Sequence, residues 1–199
     1  MKLKISVAVV ALFLAGCSSM TPKKETQTNY WIYDIQTDKS ASDVGTTLTE
    51  ALQSQLSSVR VNRQLPPSPL PEKPGRFQMN NTLATTNMGA MMMSNGISVD
   101  FPTCEGAIMS GGSQDSGMSN WGDDTTWTFC LWQYKSGYHL DLVVRTSTTS
   151  GGFDSKSLAK ALVKPLAGDS SKTILTQVDK ITAKLTSNGL NPVLAEKYP

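Results

Sequence analysis

Apolar and polar positions recur with two different periods in the first third of the chain. Residues 30–35, Tyr-Trp-Ile-Tyr-Asp-Ile, are aromatic and β-branched, a composition typical of a strand. Ser40 and Asp43 then have the spacing of a helix N-terminal cap. The apolar residues that follow recur at helical spacing: Val44, Leu48, Leu52, Leu56 and Val59. The opposite face is rich in Thr, Gln and Ser, so we expect a helix that lies on a sheet.

A β-hairpin is predicted in the second half of the chain. Two runs of strand-forming residues, 125–134 and 138–146, flank Lys135-Ser136-Gly137, in which glycine is free to adopt a positive φ. A three-residue loop places Cys130 on the same sheet face as Leu140, whereas a loop that differs by one residue places Leu131 there instead. We favour the first register because it turns Cys130 inward with the leucines.

Weaker patterns fill the remaining chain. Strand candidates lie at residues 76–86, 97–101 and 104–109, and residues 110–124 are predicted to form a long polar loop. Two amphipathic helices in series, or one kinked helix, are expected next, with a short tail after them. The first runs from Asp154 to Leu166, and the second from Ser170 or Ser171 to Asn188-Gly189, with Ile174, Val178, Ile181 and Leu185 on one face.

This order of elements predicts an α+β domain. We expect an antiparallel sheet of about five strands, packed by an N-terminal helix and C-terminal helices. The order resembles that of helix-grip domains, in which a curved antiparallel sheet wraps a long C-terminal helix, as in lipoprotein subunits of the outer-membrane barrel-assembly machinery. The likeness lies in element order, so it implies a fold and not a function.

Proline is concentrated in residues 65–75, Leu-Pro-Pro-Ser-Pro-Leu-Pro-Glu-Lys-Pro-Gly. Proline excludes both a helix interior and a central strand. The simpler interpretation is a stiff crossover loop. The alternative is a docking segment for an aromatic groove, with four candidate contact residues: Pro66, Pro67, Pro69 and Pro71.

The first seventeen residues have the order of an export signal. Lys2 and Lys4 precede a short apolar run, and Leu14-Ala15-Gly16-Cys17 follows it. The run is too short to span a bilayer. The segment resembles the lipobox of bacterial lipoprotein precursors, which implies cleavage of residues 1–16 and attachment of acyl chains at Cys17. In such lipoproteins, a residue other than Asp after the cysteine implies sorting to the outer membrane, so Ser18 predicts a periplasm-facing anchor there.

Three segments follow from this resemblance. Residues 1–16 are the signal, residues 17–29 are the lipidated cysteine with a flexible polar tether, and residues 30–199 form a single domain. Twelve flexible residues span about 20 Å on average. The chain has 18 Lys+Arg and 16 Asp+Glu, and removal of Lys2 and Lys4 leaves 16 of each. A neutral chain without long basic runs argues against nucleic-acid binding.

Cys104 and Cys130 remain once Cys17 is assigned to lipid. Disulfides persist in an oxidising exported compartment, so we expect these two residues to be bonded, the alternative being two free buried thiols. In the chain-entropy description, closing a loop of this length stabilises the fold by roughly 3 to 4 kcal/mol.

Two further sequence patterns are of kinds that bind metal ions in other proteins. Methionine thioethers suit Cu(I), and residues 88–93 hold four of them, although methionines also fill gaps in cores. Asp115, Asp123 and Asp124 supply carboxylates in the polar loop but lack the regular alternation and the final Glu of a calcium-binding loop. Neither pattern is sufficient, so we expect no metal or cofactor. Trp121, with Asp123 and Asp124, is a candidate contact site at the loop tip.

His139 is the only histidine, and Asp141 lies on the same strand face. This pair is two-thirds of a hydrolytic triad, but no Gly-x-Ser-x-Gly elbow accompanies it. We therefore expect His139 to be a polar residue on the solvent side of the sheet.

These observations predict a non-enzymatic, lipid-anchored envelope protein. Its expected function is that of an interaction or assembly component of a periplasmic or outer-membrane complex, with an envelope protein as partner. One alternative is a ligand-binding module for cell-wall glycan or a metal. The other is a cell-wall hydrolase that uses His139.

Overall fold

The computed structural model describes residues 23–81, 91, 100–115, 123–150 and 170–199. The helices and strands in these ranges follow one another in this order: β1 (Lys23–Ile35), α1 (Ala41–Gln53), β2 (Arg60–Arg63), β3 (Gln78–Asn80), β4 (Phe101–Thr103), β5 (Met109–Asp115), β6 (Asp123–Tyr134), β7 (Gly137–Ser150), α2 (Ser170–Ser187) and β8 (Pro192–Tyr198). The predicted helix at residues 154–166 lies outside the described residues.

Within the described ranges, the main sheet has six strands in the order β2-β5-β6-β7-β1-β8, and β3 pairs with β4 in a separate small sheet. All of these strand pairs are antiparallel. The predicted α+β class is confirmed, with one strand more in the main sheet than the expected number of about five.

Both described helices cover one face of the main sheet. The Ser40 side chain caps α1 by accepting a hydrogen bond from the backbone N–H of Asp43 at 3.2 Å, as predicted. The helices bury apolar residues that the helical period predicted: Val44, Leu48 and Leu52 from α1, and Ile174, Val178, Ile181 and Leu185 from α2. The first helix is shorter than predicted, because α1 ends at Gln53, and the buried Leu56 and half-buried Val59 follow it. Gly189 ends the second helix with a φ of +75°.

The favoured register of the hairpin is wrong. Tyr134 pairs with Gly137 across a two-residue turn, so Leu131 lies opposite Leu140 and Cys130 lies opposite Asp141. Leu131 therefore packs with the leucines under the helices, and Cys130 points to the other face. The prediction failed because it assumed a single buried face, whereas both faces of this sheet are covered.

β1 is longer than predicted. It includes residues that were predicted to belong to the flexible tether. It pairs with β7 along its whole length, from Lys23 opposite Ser150 to Ile35 opposite Tyr138. The backbone ladder needs no apolar side chains, so a polar segment can extend the sheet wherever a partner strand is long enough. Residues 23–29 are therefore strand rather than flexible tether.

The predicted polar loop at residues 110–124 is also corrected. β5 and β6 occupy most of it, and residues 116–122 lie outside the described residues. Two consecutive glycines suggested a loop, but they allow close packing of strands. A Cβ on Gly111 would lie 2.0 Å from the carbonyl oxygen of Arg60 in β2, and one on Gly112 would lie 2.6 Å from the carbonyl oxygen of Trp127 in β6.

Other boundaries differ as well. The predicted C-terminal tail is β8, which pairs with the edge of β1. In the described part of the candidate at residues 76–86 the strand is β3, and residues 82–86 lie outside the described residues. The candidate at residues 104–109 contains only the first residue of β5, and β2 was not predicted. β4 begins at Phe101, the last residue of the candidate at residues 97–101, of which residues 97–99 lie outside the described part. Short strands such as these depend on a neighbouring strand, which a local pattern does not contain.

Candidate functional site

The face of the sheet opposite the helices carries a second, smaller core. Its buried members come from three strands and from the segments that cross this face: Ile32, Phe77, Ala107, Cys130, Trp132 and Val143. The predicted disulfide is confirmed here, with a Cα–Cα distance of 5.5 Å between Cys104 and Cys130. It ties the segment before β5 to the middle of β6.

Residues 64–77, here called the proline strap, cross this second face. The backbone N–H of Gln64 donates to the carbonyl oxygen of Ile108 at 2.8 Å, and the N–H of Lys135 donates to the carbonyl oxygen of Pro71 at 3.0 Å. Lys135 also forms an ion pair with Glu72. The strap is thus held by backbone hydrogen bonds at Gln64 and at Pro71.

The segment between these two hydrogen bonds, Leu65–Leu70, projects into solvent. The side chain of Leu65 is 92% exposed. The four candidate proline contacts are exposed as well: Pro66, Pro67, Pro69 and Pro71. The expectation of a crossover loop is confirmed, and the loop presents an apolar surface outward.

The last residues of the strap are packed closely on the sheet. A Cβ on Gly75 would lie 2.3 Å from the indole nitrogen of Trp132, so only glycine allows this approach. The Arg76 guanidinium forms an ion pair with Glu196 of β8 at 2.7 Å. The backbone N–H of Phe77 donates to Oδ2 of Asp141 at 2.9 Å. The last residue of the strap is therefore hydrogen-bonded to a side chain of β7.

Asp141 belongs to a polar cluster with His139 and Asp34. Asp34 lies directly opposite His139 in the β1–β7 ladder, and its Oδ1 is 2.7 Å from the imidazole Nδ1. The other ring nitrogen, Nε2, is 3.5 Å from Oδ1 of Asp141. The imidazole thus lies between two carboxylates, in the arrangement that we call the Asp-His-Asp cluster.

Burial has the largest effect on the pKa of the Asp141 carboxyl. Its side chain is 0% exposed, and its neighbours across the sheet are Ile32 and Cys130. Desolvation raises the pKa of this carboxyl from 3.8 to about 6, although the Phe77 N–H, His139 and Arg76 oppose the shift. Its Oδ1 atom has no hydrogen-bond partner within the part of the chain that the structure describes.

A second polar group adjoins this cluster at the β8 edge. The Tyr30 hydroxyl donates to Oε1 of Glu196 at 2.6 Å, and this hydrogen bond raises the pKa of Tyr30. The hydrogen bond from Arg76, and then that from Tyr30, lowers the pKa of Glu196. Tyr198 stacks on Tyr30 with ring centroids 5.6 Å apart. The strap and β8 are therefore joined through side chains of the same face.

His139 and Asp141 share a strand face, as predicted, but that face is not on the solvent side of the sheet. The His139 side chain is 12% exposed, with the Asp34 and Asp141 carboxylates at its two ring nitrogens and the centroid of the Trp132 ring 6.5 Å from its own. Both ring nitrogens face carboxylates, so neither is directed at a hydroxyl or thiol nucleophile. In the described ranges, no group of three or more His, Cys, Asp or Glu side chains is arranged to hold a metal ion.

Of the remaining candidate residues, those that the structure describes are not brought together with this cluster. Cys17 and Trp121 lie outside the described residues, as do residues 88–93 apart from Met91, whose side chain is 70% exposed. Asp123 is the first residue of β6, and Asp124 beside it is exposed. The methionine and calcium hypotheses therefore gain no support from described neighbours.

Sequence reasoning missed Asp34, Arg76 and Glu196. Asp34 had a detectable signal, because it is a charged residue in an otherwise apolar strand run, on the same face as Tyr30 and Ile32. Arg76 and Glu196 had none, since 120 positions separate them in the chain and only the fold joins them.

Comparisons with protein-family models, with curated proteins and with solved structures found no match. Among the described residues, no helix is both long enough and apolar enough to cross a membrane.

Proposed function

We propose that this protein is a non-enzymatic lipoprotein of the bacterial envelope, anchored through acyl chains on Cys17. It acts as an interaction or assembly component of a periplasmic or outer-membrane complex. The exposed segment Leu65–Leu70 is its main contact surface. The lipobox supports the anchor, and the shape of the proline strap supports the contact surface.

One observation carries the proposed contact surface: Leu65 is 92% exposed on a segment that is fastened on both sides. Leu65 contributes nothing to the core, and with the exposed Pro66, Pro67 and Pro69 it forms a contiguous apolar patch rather than a single exposed leucine. The Gln64–Ile108 and Lys135–Pro71 hydrogen bonds hold the segment in place. A partner therefore has less conformational entropy to remove on binding.

The composition of the segment defines the chemistry of the partner. Proline rings have little conformational freedom and pack on flat aromatic side chains, so proline-rich segments dock in grooves lined by Trp and Tyr. Leu65 adds a branched apolar side chain for a pocket beside such a groove. The partner is therefore an envelope protein with an aromatic groove.

The arrangement around His139 supports a non-enzymatic function. A general base needs a free nitrogen within hydrogen-bond reach of the proton that it removes. In the Asp-His-Asp cluster, Nδ1 is bonded to Asp34 and Nε2 faces the buried Asp141. The hydrolase alternative thus lacks the geometry that would favour it, and no described contact favours glycan or metal binding.

Site-specific photo-crosslinking in cells tests the contact surface. A photo-reactive residue replaces Leu65 in one strain and Leu175 in another, since Leu175 is likewise an exposed leucine, at 48%, but lies on α2. We expect a crosslinked envelope protein from position 65 and not from position 175. The same product should weaken when Pro66 and Pro67 are both replaced by Ala.

Equal crosslinking from both positions would contradict the proposal, and so would a position-65 product that is indifferent to the two prolines. A clean absence of products from position 65, in cells where the protein is present and membrane-bound, would also overturn it.

A further inference from the structure

We propose that the Asp-His-Asp cluster is a proton-linked latch that holds the end of the proline strap, Gly75–Phe77, against the sheet. Closing the strap over Asp141 takes up a proton, so a fall in pH favours the closed strap. This device is independent of whether the segment Leu65–Leu70 binds a partner.

The geometry places a titratable group directly beneath the end of the strap. Phe77 is buried with Ile32 and contributes to the same small core as Val143. Its backbone N–H is bonded to Asp141, whose side chain is 0% exposed. Lifting Phe77 away would break this hydrogen bond and admit water to the carboxylate.

Charged and titratable groups face the cluster from every element packed around it. β1 contributes Asp34 and Tyr30, and β7 contributes His139 and Asp141. The strap contributes Arg76, and β8 contributes Glu196.

β6 contributes Tyr134, whose pKa is raised by burial and then by the Asp34 carboxylate. Three carboxylates thus face one guanidinium and one imidazole. Closing the strap favours a bound proton because burial of Asp141 disfavours its charged form more than the nearby cations favour it.

The sign of the linkage follows from burial. With the strap closed, desolvation holds the pKa of Asp141 at about 6, and hydration in an open state returns it toward 3.8. Between these values the closed form binds a proton that the open form does not. The equilibrium constant for closing the strap therefore increases about tenfold when the pH falls from about 7 to about 5.

The retained hydrogen bond does not reverse this sign. Phe77, His139 and Arg76 each favour the charged carboxylate, but their combined effect is smaller than that of desolvation. A protonated carboxyl still offers an oxygen to the Phe77 N–H, so the strap stays attached in the protonated form.

Amide hydrogen exchange on the full chain tests the latch. The protection of the Phe77 amide is compared at pH 5 and pH 7, after correction for the intrinsic exchange rate at each pH. The amide of Leu140, in the centre of the sheet, reports global unfolding. We expect Phe77 to be less protected than Leu140 at both pH values, and about tenfold more protected at pH 5 than at pH 7.

Asp141→Asn should abolish the pH dependence at Phe77, because the amide cannot take up a proton. Glu50→Gln, an exposed carboxylate on α1, should leave it unchanged. Equal protection of Phe77 and Leu140 would overturn the proposal, since the strap would then open only with the whole fold. Protection of Phe77 that is the same at pH 5 and pH 7 would do so as well, and this comparison needs no variant.

Discussion

The backbone N–H of Phe77 is bonded to Oδ2 of Asp141 at 2.9 Å, although 64 positions separate the two residues in the chain. This hydrogen bond attaches the end of a proline-rich crossover to a buried carboxylate that lies beside His139 and between Ile32 and Cys130 of the neighbouring strands. Backbone donors stabilise a buried carboxylate, yet here desolvation is the larger effect. The attachment is therefore sensitive to protons.

The stability of the protein should depend on Asp141 in a defined pH range. Its pKa is raised in the fold to about 6, so its contribution is fully present below about pH 4 and is lost as the pH rises through about 6. The free energy of unfolding of the wild type, minus that of Asp141→Asn, should fall by about 2 to 3 kcal/mol between pH 4 and pH 7. Urea denaturation at each pH measures it. A constant difference would contradict the assignment.

The disulfide should stabilise the second core. Replacing Cys104 and Cys130 together by Ala should lower the free energy of unfolding by about 3 to 4 kcal/mol, because the unfolded chain gains freedom over a separation of 26 residues. Denaturation of the wild type with and without reductant provides a matched comparison. If the reduced wild type and the double variant were both as stable as the oxidised protein, the bond would have no structural role.

Two glycines should respond to alanine in opposite directions. Gly111→Ala should destabilise the protein by about 2 kcal/mol or more, because the added methyl group meets the Arg60 carbonyl and displaces β2. Gly45 lies inside α1, and its nearest neighbour would be 3.5 Å from an added Cβ, an ordinary contact.

Gly45→Ala should therefore stabilise the protein by up to about 1 kcal/mol through helix propensity. Thermal and urea denaturation of both variants check the pair. A Gly111→Ala variant that is as stable as the wild type would show that β2 can shift without cost.

Replacement of Leu65 and of Leu52 by Ala should have very different effects on the free energy of unfolding. Leu52 is 0% exposed in the helix-covered core, so Leu52→Ala should cost about 2 to 5 kcal/mol. Leu65→Ala should change the free energy of unfolding by less than about 0.5 kcal/mol, because its side chain already lies in water. A large loss of stability at Leu65 would mean that it serves the fold rather than a partner.

Acylation should require Cys17 alone. Cells fed a labelled fatty acid should label the wild type and the Cys104→Ala, Cys130→Ala double variant, and should not label Cys17→Ser. The unlabelled variant should also leave the membrane fraction, since acyl chains provide the proposed attachment. Label that persists in Cys17→Ser would overturn the lipobox assignment.

Local patterns in the sequence were sufficient for the two described helices. Helical period and capping act over four residues, so Ser40, the Val44–Leu52 stripe and the Ile174–Leu185 stripe could be recognised without a partner. The two strands of the hairpin between residues 125 and 146 were predicted from local composition and Gly137. The Cys104–Cys130 pairing was predicted instead from the assignment of Cys17 to lipid and from the oxidising compartment that this assignment implies. The α+β class followed from the order of these elements.

Only the tertiary structure decided the register of the hairpin, the strands β2, β5 and β8, and the Asp-His-Asp cluster. Each depends on a partner distant in the chain: Arg60 beside Gly111, Asp34 opposite His139, and Phe77 above Asp141. Both faces of the sheet are covered, so the side that a residue faces could not be read from its polarity. A polar side chain became a buried titratable site because a proline-rich strap, whose sequence predicts no packing, lies across it.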